Sequence, residues 1–332
     1  MMRFASLLFA FLIFSAGFAQ AQCRGASMLP ELEAADPAGL EAMFARADAV
    51  PNANGRLWRV DKAGKPPSYL FGTFHSGAAL STVTQEIWDL LDRSRIAIFE
   101  VDLKQQRALE ERMATDPSFA FDLQGPGIVS RMTRDQVTVL EQALTARGIS
   151  VEAAERMRPW LLTALLGFPA CHLSASASGE KPLDAVMAQR AQDAGIPEIG
   201  LEGYEAALDL LNDTPTDVLI TMFTGVPDLL DREEDVFATN QELYANGRIQ
   251  AINEFGIYLT EQYRPDLNAA ALNEAMMSEI LDGRNRQWIP RLASELSRGG
   301  AFVAVGALHM PGEAGLIELL RARGFEISRM DR

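Results

Sequence analysis

Only three histidines occur in the 332-residue chain, and two of them close the same local pattern. Tyr69-Leu70-Phe71-Gly72-Thr73-Phe74-His75 is an apolar, β-rich run that ends in Gly-x-x-His. Ala301-Phe302-Val303-Ala304-Val305-Gly306-Ala307-Leu308-His309 repeats the device near the other end of the chain. Gly72 and Gly306 would let the backbone turn tightly or approach a neighbour closely. Two acids stand in comparable places, Glu100 after Ile96-Ala97-Ile98-Phe99 and Glu202 after Pro197-Glu198-Ile199-Gly200-Leu201. Folds that alternate strands and helices bind ligands just past the carboxyl ends of their strands. Two imidazoles with two carboxylates suit a first-row divalent cation such as Mn, Co or Zn. Such an ion lowers the pKa of a bound water and polarises a carbonyl, while a spare carboxylate acts as general base.

A plainer reading stands beside this one. A histidine at a strand end commonly serves as a hydrogen-bonded structural residue, and acids there commonly cap helices or face solvent. Glu100 is the sharper of the two acids, because it interrupts an otherwise apolar strand. His172, beside Cys171, reads as structural. Ser76 follows His75 but lacks a nucleophile elbow, and the chain contains no HExxH, Gly-x-Ser-x-Gly or P-loop. Arg158-Pro159-Trp160 and Arg284-Asn285-Arg286-Gln287-Trp288 are polar-aromatic clusters with two readings. Either they form a surface ion-pair face with tryptophan turned inward, or an Arg/Asn pair orients a substrate carbonyl or a supporting acid.

The elements that must position these groups alternate. Leu57–Val60 and Tyr69–Phe74 read as antiparallel strands joined by a loop containing Gly64, Pro66 and Pro67. A helix over 84–93 follows. Ile96–Val101 is apolar almost throughout, as a parallel strand covered on both faces must be. Further strands are expected at 197–202, 301–305 and 325–330. The spacing predicts helices over 104–116, 133–147, 151–167, 182–194, 204–212, 214–224, 228–246, 248–260, 268–282, 286–298 and 313–323. This is an α/β fold with a central mixed sheet of about six short strands. Its helical insertions, at about 104–194 and 204–298, are too long for simple crossovers and should form a helical lobe. The expected organisation is a segment over 1–21, a tail over 22–55 with helical pieces such as Leu29–Ala47, and one domain over 56–332.

Residues 1–21 have the form of a signal peptide: basic Arg3, an apolar run from Phe4 to Phe18, then Ala19-Gln20-Ala21. The alternative is an uncleaved anchor, for which the run is short. Export to a periplasmic or extracellular space makes a Cys23–Cys171 disulfide the favoured state of the two cysteines, against two unrelated thiols. Net charge is −15, so nucleic acid and anionic lipid are repelled, and no nucleic-acid partner and no further membrane span is expected.

The ordered set of motifs resembles the TraB/GumN family, which includes the animal Tiki proteins. The likeness rests on Leu57-Trp58-Arg59, the His75 motif, Phe99-Glu100, Arg158-Pro159-Trp160, Leu183-Asp184 and Gly200-Leu201-Glu202. It continues through Arg284-Asn285-x-x-Trp288 and Val305-Gly306-Ala307-Leu308-His309-Met310-Pro311-Gly312-Glu313, and Met310 replaces the usual leucine. The resemblance implies a sheet built from two related halves, as in the erythromycin-esterase/ChaN-like group, and metal-dependent proteolysis. Carried over, it assigns His75, His309 and Glu100 to the metal, with Glu202, Arg284 and Asn285 as catalytic companions. The expectation is an exported metallopeptidase acting on a peptide or envelope-associated substrate. A non-peptide esterase, or a non-catalytic protein that holds haem, metal or glycan, remains the alternative.

Overall fold

A computed structural model describes residues 23–331. Its six strands form one sheet: β1 (Leu57–Asp61), β2 (Ser68–Thr73), β3 (Ile96–Phe99), β4 (Glu198–Gly200), β5 (Ala301–Gly306) and β6 (Glu326–Arg329). Their order across the sheet is β4-β3-β5-β2-β1-β6. β4, β3, β5 and β2 run parallel, and β1 is antiparallel to both β2 and β6, so the sheet is mixed. The two strands that carry Gly-x-x-His are direct neighbours, with Gly72 opposite Val305 and Thr73 opposite Gly306. More than two hundred residues of chain separate them, yet they form the centre of the sheet.

Helices cover both faces, which is why β5 is buried at every position. Side chains alternate across the pleat. Val303 and Val305 pack with Leu70, Ile98 and the helices Arg284–Leu296 and Leu316–Arg321. Phe302 and Ala304 pack on the other side with Phe71, Phe99 and the helix Leu183–Asp193. Fully burying one such aliphatic or aromatic side chain contributes about 1.5–3 kcal/mol. The expectation of an α/β sheet of about six short strands with a helical lobe is met.

The strands that carry acids are shorter than the apolar runs implied. β3 stops at Phe99 and β4 at Gly200, because the Leu201 N–H turns back to the carbonyls of Phe99 and Glu100. That turn frees both glutamate side chains from the pleat. Helix expectations fail mainly at prolines. Leu29–Ala47 is two helices, Leu29–Ala35 and Pro37–Asp48, and Asp36 between them accepts from the Gly39 N–H. The 151–167 run likewise splits into Val151–Ala154 and Pro159–Leu166, since the residue before a proline disfavours helical backbone.

Residues expected as a tail are folded onto the lobe. Leu40, Met43 and Ala47 pack against Leu243, Ala251, Phe255 and Tyr258. The strap before them is pinned by N–H bonds from Arg24 to Glu234, Ala26 to Asp235 and Met28 to Thr239. Cys23 and Cys171 are bridged, with Cα atoms 5.1 Å apart. Among the described residues no single helix is long and apolar enough to cross a membrane. The signal-peptide reading of 1–21 falls outside the described residues.

Candidate functional site

His75 stands two residues past the end of β2, and His309 ends a short 3-10 turn, Ala307–His309, that follows β5. Parallel neighbouring strands deliver both rings to the same end of the sheet. Gly72 has a specific reason to be glycine: a methyl there would lie 2.9 Å from the Cα and Cβ of Ala307. Any side chain would push apart the two backbones that bring the histidines together. Gly306 marks where the groups converge. A methyl on its Cα would lie 3.2 Å from Glu100 Oε1, 3.3 Å from His75 Nε2 and 3.5 Å from His309 Cδ2.

Each imidazole is oriented through Nδ1. His75 Nδ1 lies 2.8 Å from Asp184 Oδ2, and Asp184 accepts a second bond from the Thr73 hydroxyl. A carboxylate only accepts, so Nδ1 carries a proton and Nε2 is the nitrogen turned toward Gly306. His309 Nδ1 lies 2.7 Å from Asn285 Oδ1. The Asn285 amide nitrogen donates to the His309 and Ala314 carbonyls, which sets the orientation of the side chain. His309 therefore also donates from Nδ1 and presents a bare Nε2, 3.7 Å from Glu100 Oε1. Trp288 packs on the His309 ring with centroids 4.4 Å apart.

Arg284 is the hub. Its Nη2 donates to Glu100 Oε2 and Glu202 Oε1, both at 2.6 Å, and its Nε donates to Glu202 at 3.1 Å. Nη1 reaches the Ile280 carbonyl at 3.3 Å and stands 3.4 Å from His309 Nε2. Trp288 Nε1 donates to Glu202 Oε2 at 3.0 Å. Glu202 is thus consumed by Arg284 and Trp288. Glu100 keeps Oε1 toward the histidines, where it accepts the Gly306 N–H at 2.6 Å.

These contacts set the charges. The Asp184 carboxylate beside His75 raises that imidazole to about 9, overcoming partial desolvation, with Glu100 adding and Arg284 opposing. Burial pushes His309 down to about 4, against the pull of Glu100 and together with the repulsion of Arg284 and His75. Burial alone would raise Glu100, but the charges around it, His309, Arg284 and His75, and the Gly306 amide hold it at about 2. At neutral pH the metal-free centre therefore holds a cationic His75, a neutral His309 and an ionised Glu100. The cation that neutralises the two glutamates is Arg284.

The sequence-derived candidates are brought together, but their surroundings differ from the roles expected. His75, Glu100, Glu202, Arg284, Asn285 and His309 are one cluster. Asn285 is only 1% exposed with its amide spent, so it holds His309 and has no donor left for a substrate oxygen. Arg284 is likewise committed to Glu100 and Glu202. Asp184 is the residue that reasoning from strand ends passed over, since it begins a helix; its motif Leu183-Asp184 was the available signal. Arg158 and Trp160 lie in the lobe, donating to the Ser118 and Phe119 carbonyls. Ser76 is buried and caps the turn at Ala78. His172 stacks on Phe168 with ring centroids 4.6 Å apart.

A family model for the TraB/PrgY/gumN family matches residues 56–329. The chain belongs to that family. A search of curated proteins returns no match.

The donor types fit the divalent cation that the family resemblance implies. His75 Nε2, the His309 ring edge and one Glu100 oxygen border the space over Gly306, and each Nδ1 is anchored by a side-chain oxygen, as in metal-binding histidines. Among the described residues, no three His, Cys, Asp or Glu side chains already stand at ligand spacing.

Proposed function

We propose that this TraB/PrgY/gumN protein is an exported, metal-dependent hydrolase of a carbonyl bond, in the first instance a peptide bond. The observation that supports it is the convergence of His75, His309 and Glu100 around Gly306, with each ring oriented through Nδ1. His75 and His309 through Nε2, with Glu100 through Oε1, would hold a divalent ion such as Mn, Co or Zn. When bound, such an ion would polarise a carbonyl and make a water nucleophilic at neutral pH.

The protein's own groups do the rest. Asp184 and Asn285 hold the two Nε2 edges toward the reacting space. Arg284 offsets the charge of Glu100 and Glu202 and pins Glu100 by its far oxygen, leaving Oε1 facing the histidines. Trp288 floors the site under His309 and fixes Glu202. Half-exposed His75 forms the solvent side, where a substrate enters; buried His309 forms the inner wall.

The test is direct. Purified protein with Mn²⁺, Co²⁺ or Zn²⁺ is offered a peptide library, and His75→Ala is run beside it. Metal-dependent cleavage that His75→Ala loses is expected. Failure with all three ions, or cleavage retained by His75→Ala, would end the reading. Export predicts that the mature protein begins after Ala21, which N-terminal sequencing checks.

A further inference from the structure

The helical lobe holds a hollow of about 450 Å³ whose walls come from the elements that also present the candidate site. One wall is the helix Tyr204–Asp213, which begins two residues after Glu202 and contributes Leu210 and Leu211. The opposite wall is the helix Ala269–Met277 with the π-helical turn Ser278–Gly283, which runs straight into Arg284. Ile280 belongs to both places: it lines the hollow, and its carbonyl accepts from Arg284 Nη1 at 3.3 Å. Such π turns are uncommon and recur at functional sites. Val218 and the half-exposed Met222 close the far side.

From this continuity we infer that the hollow is a substrate subsite for an unbranched aliphatic chain, an acyl group carried by the molecule cleaved at the histidines. Seven of the twelve lining residues are leucine, valine, isoleucine or methionine, with Pro215 and Ala275 also apolar, and methionine adapts to a flexible chain. A peptide backbone fits worse. Its amides would each need a partner, and the polar side chains of the lining are only Asp213, Thr214 and Ser278, of which the Thr214 hydroxyl is already bonded to the Leu210 carbonyl. Asp213 at the edge would repel a free carboxylate, which favours an acyl group joined through a neutral amide or ester. The assignment as a substrate subsite rests on the hydrolase reading above; binding of the chain itself does not.

The experiment separates the two. Uncharged N-acyl glycinamides of increasing chain length, acetyl to dodecanoyl, are titrated into full-length mature protein labelled at the methionine methyls. The dodecanoyl compound should shift the Met222 and Met276 methyls. Affinity should rise about threefold to fourfold per added methylene until the hollow is full. Ala275→Trp, which fills the hollow from an exposed position, and Met222→Glu at its rim should each weaken the long chain at least tenfold and leave the acetyl compound unchanged. Equal binding by those variants would overturn the inference, as would tighter binding of a leucine-rich peptide amide or methyl shifts confined elsewhere. If long chains bind the hollow and no metal supports turnover of any of these amides or of peptides, the acyl site stands and the hydrolase reading falls.

Discussion

His75 and His309 end the same sequence pattern on neighbouring parallel strands, yet they live in opposite environments. The His75 side chain is 55% exposed and paired with a carboxylate; the His309 side chain is 3% exposed and paired with a neutral amide. One ring is held by charge and remains open to water. The other is held by packing against Trp288 and by a neutral hydrogen bond, where a charged partner would have to be desolvated. The same motif thus places an outer and an inner imidazole beside one carboxylate. The difference lies in what each neighbouring element brings: Asp184 in the first turn of a helix for one, and a helix beginning at Arg284-Asn285 for the other.

The largest expected effect comes from the carboxylate the two histidines share. Glu100→Gln keeps the shape but removes the charge that faces both rings, and activity should fall on the order of 10²–10⁴-fold in a cleavage assay. A variant as active as the parent would show that the two histidines do not work through Glu100.

Next is the inner arm. Asn285→Ala strands the buried His309 Nδ1–H and two carbonyls, and urea unfolding should report a loss of about 1–3 kcal/mol. The outer arm differs. Asp184→Asn should cost less stability than Asn285→Ala, because its histidine is half-exposed and solvent screens the pair. It should nevertheless weaken Mn²⁺ or Zn²⁺ binding about 10–100-fold in calorimetry. Equal stability losses in the two variants would dissolve the contrast.

The smallest effect is a pH signature in metal-free protein. Imidazole NMR at pH 7 should find His75 protonated and His309 neutral, with midpoints near 9 and near 4. Linkage then gives opposite signs. The raised pKa of His75 contributes stability that is fully present below its unfolded value and is lost as pH rises through about 9. The depressed pKa of His309 favours the fold only while the ring is neutral, so stability is lost as pH falls from about 6.5 toward about 4. Asp184→Asn should remove the first dependence, bringing His75 back toward its ordinary range, and leave the second.

Much of the site could be read in the chain because local chemistry repeats. Two apolar runs closed by Gly-x-x-His, and two acids ending apolar runs, marked four of the residues that meet at the sheet's carboxyl end. Alternation of strands and helices carried the fold class, and cysteine parity with an exported-type N-terminus pointed to the Cys23–Cys171 bridge. Helix ends at Asp36-Pro37 and Arg158-Pro159 were less legible, since apolar periodicity continues across a proline that the backbone cannot follow.

Tertiary structure alone decided who holds whom. That Arg284 would be spent on Glu100 and Glu202, that Asn285 would turn inward to His309, and that Asp184 would reach His75 depends on parallel pairing of β5 with β2 and β3. Those contacts join residues roughly a hundred or more positions apart, or from separate elements, and no local periodicity encodes them. The sequence by itself determined the residue types and the strand ends on which they sit. Burial, unequal at the two ends of one motif, decided which histidine is charged, because the cost of desolvating a charge exists only once the chain has packed.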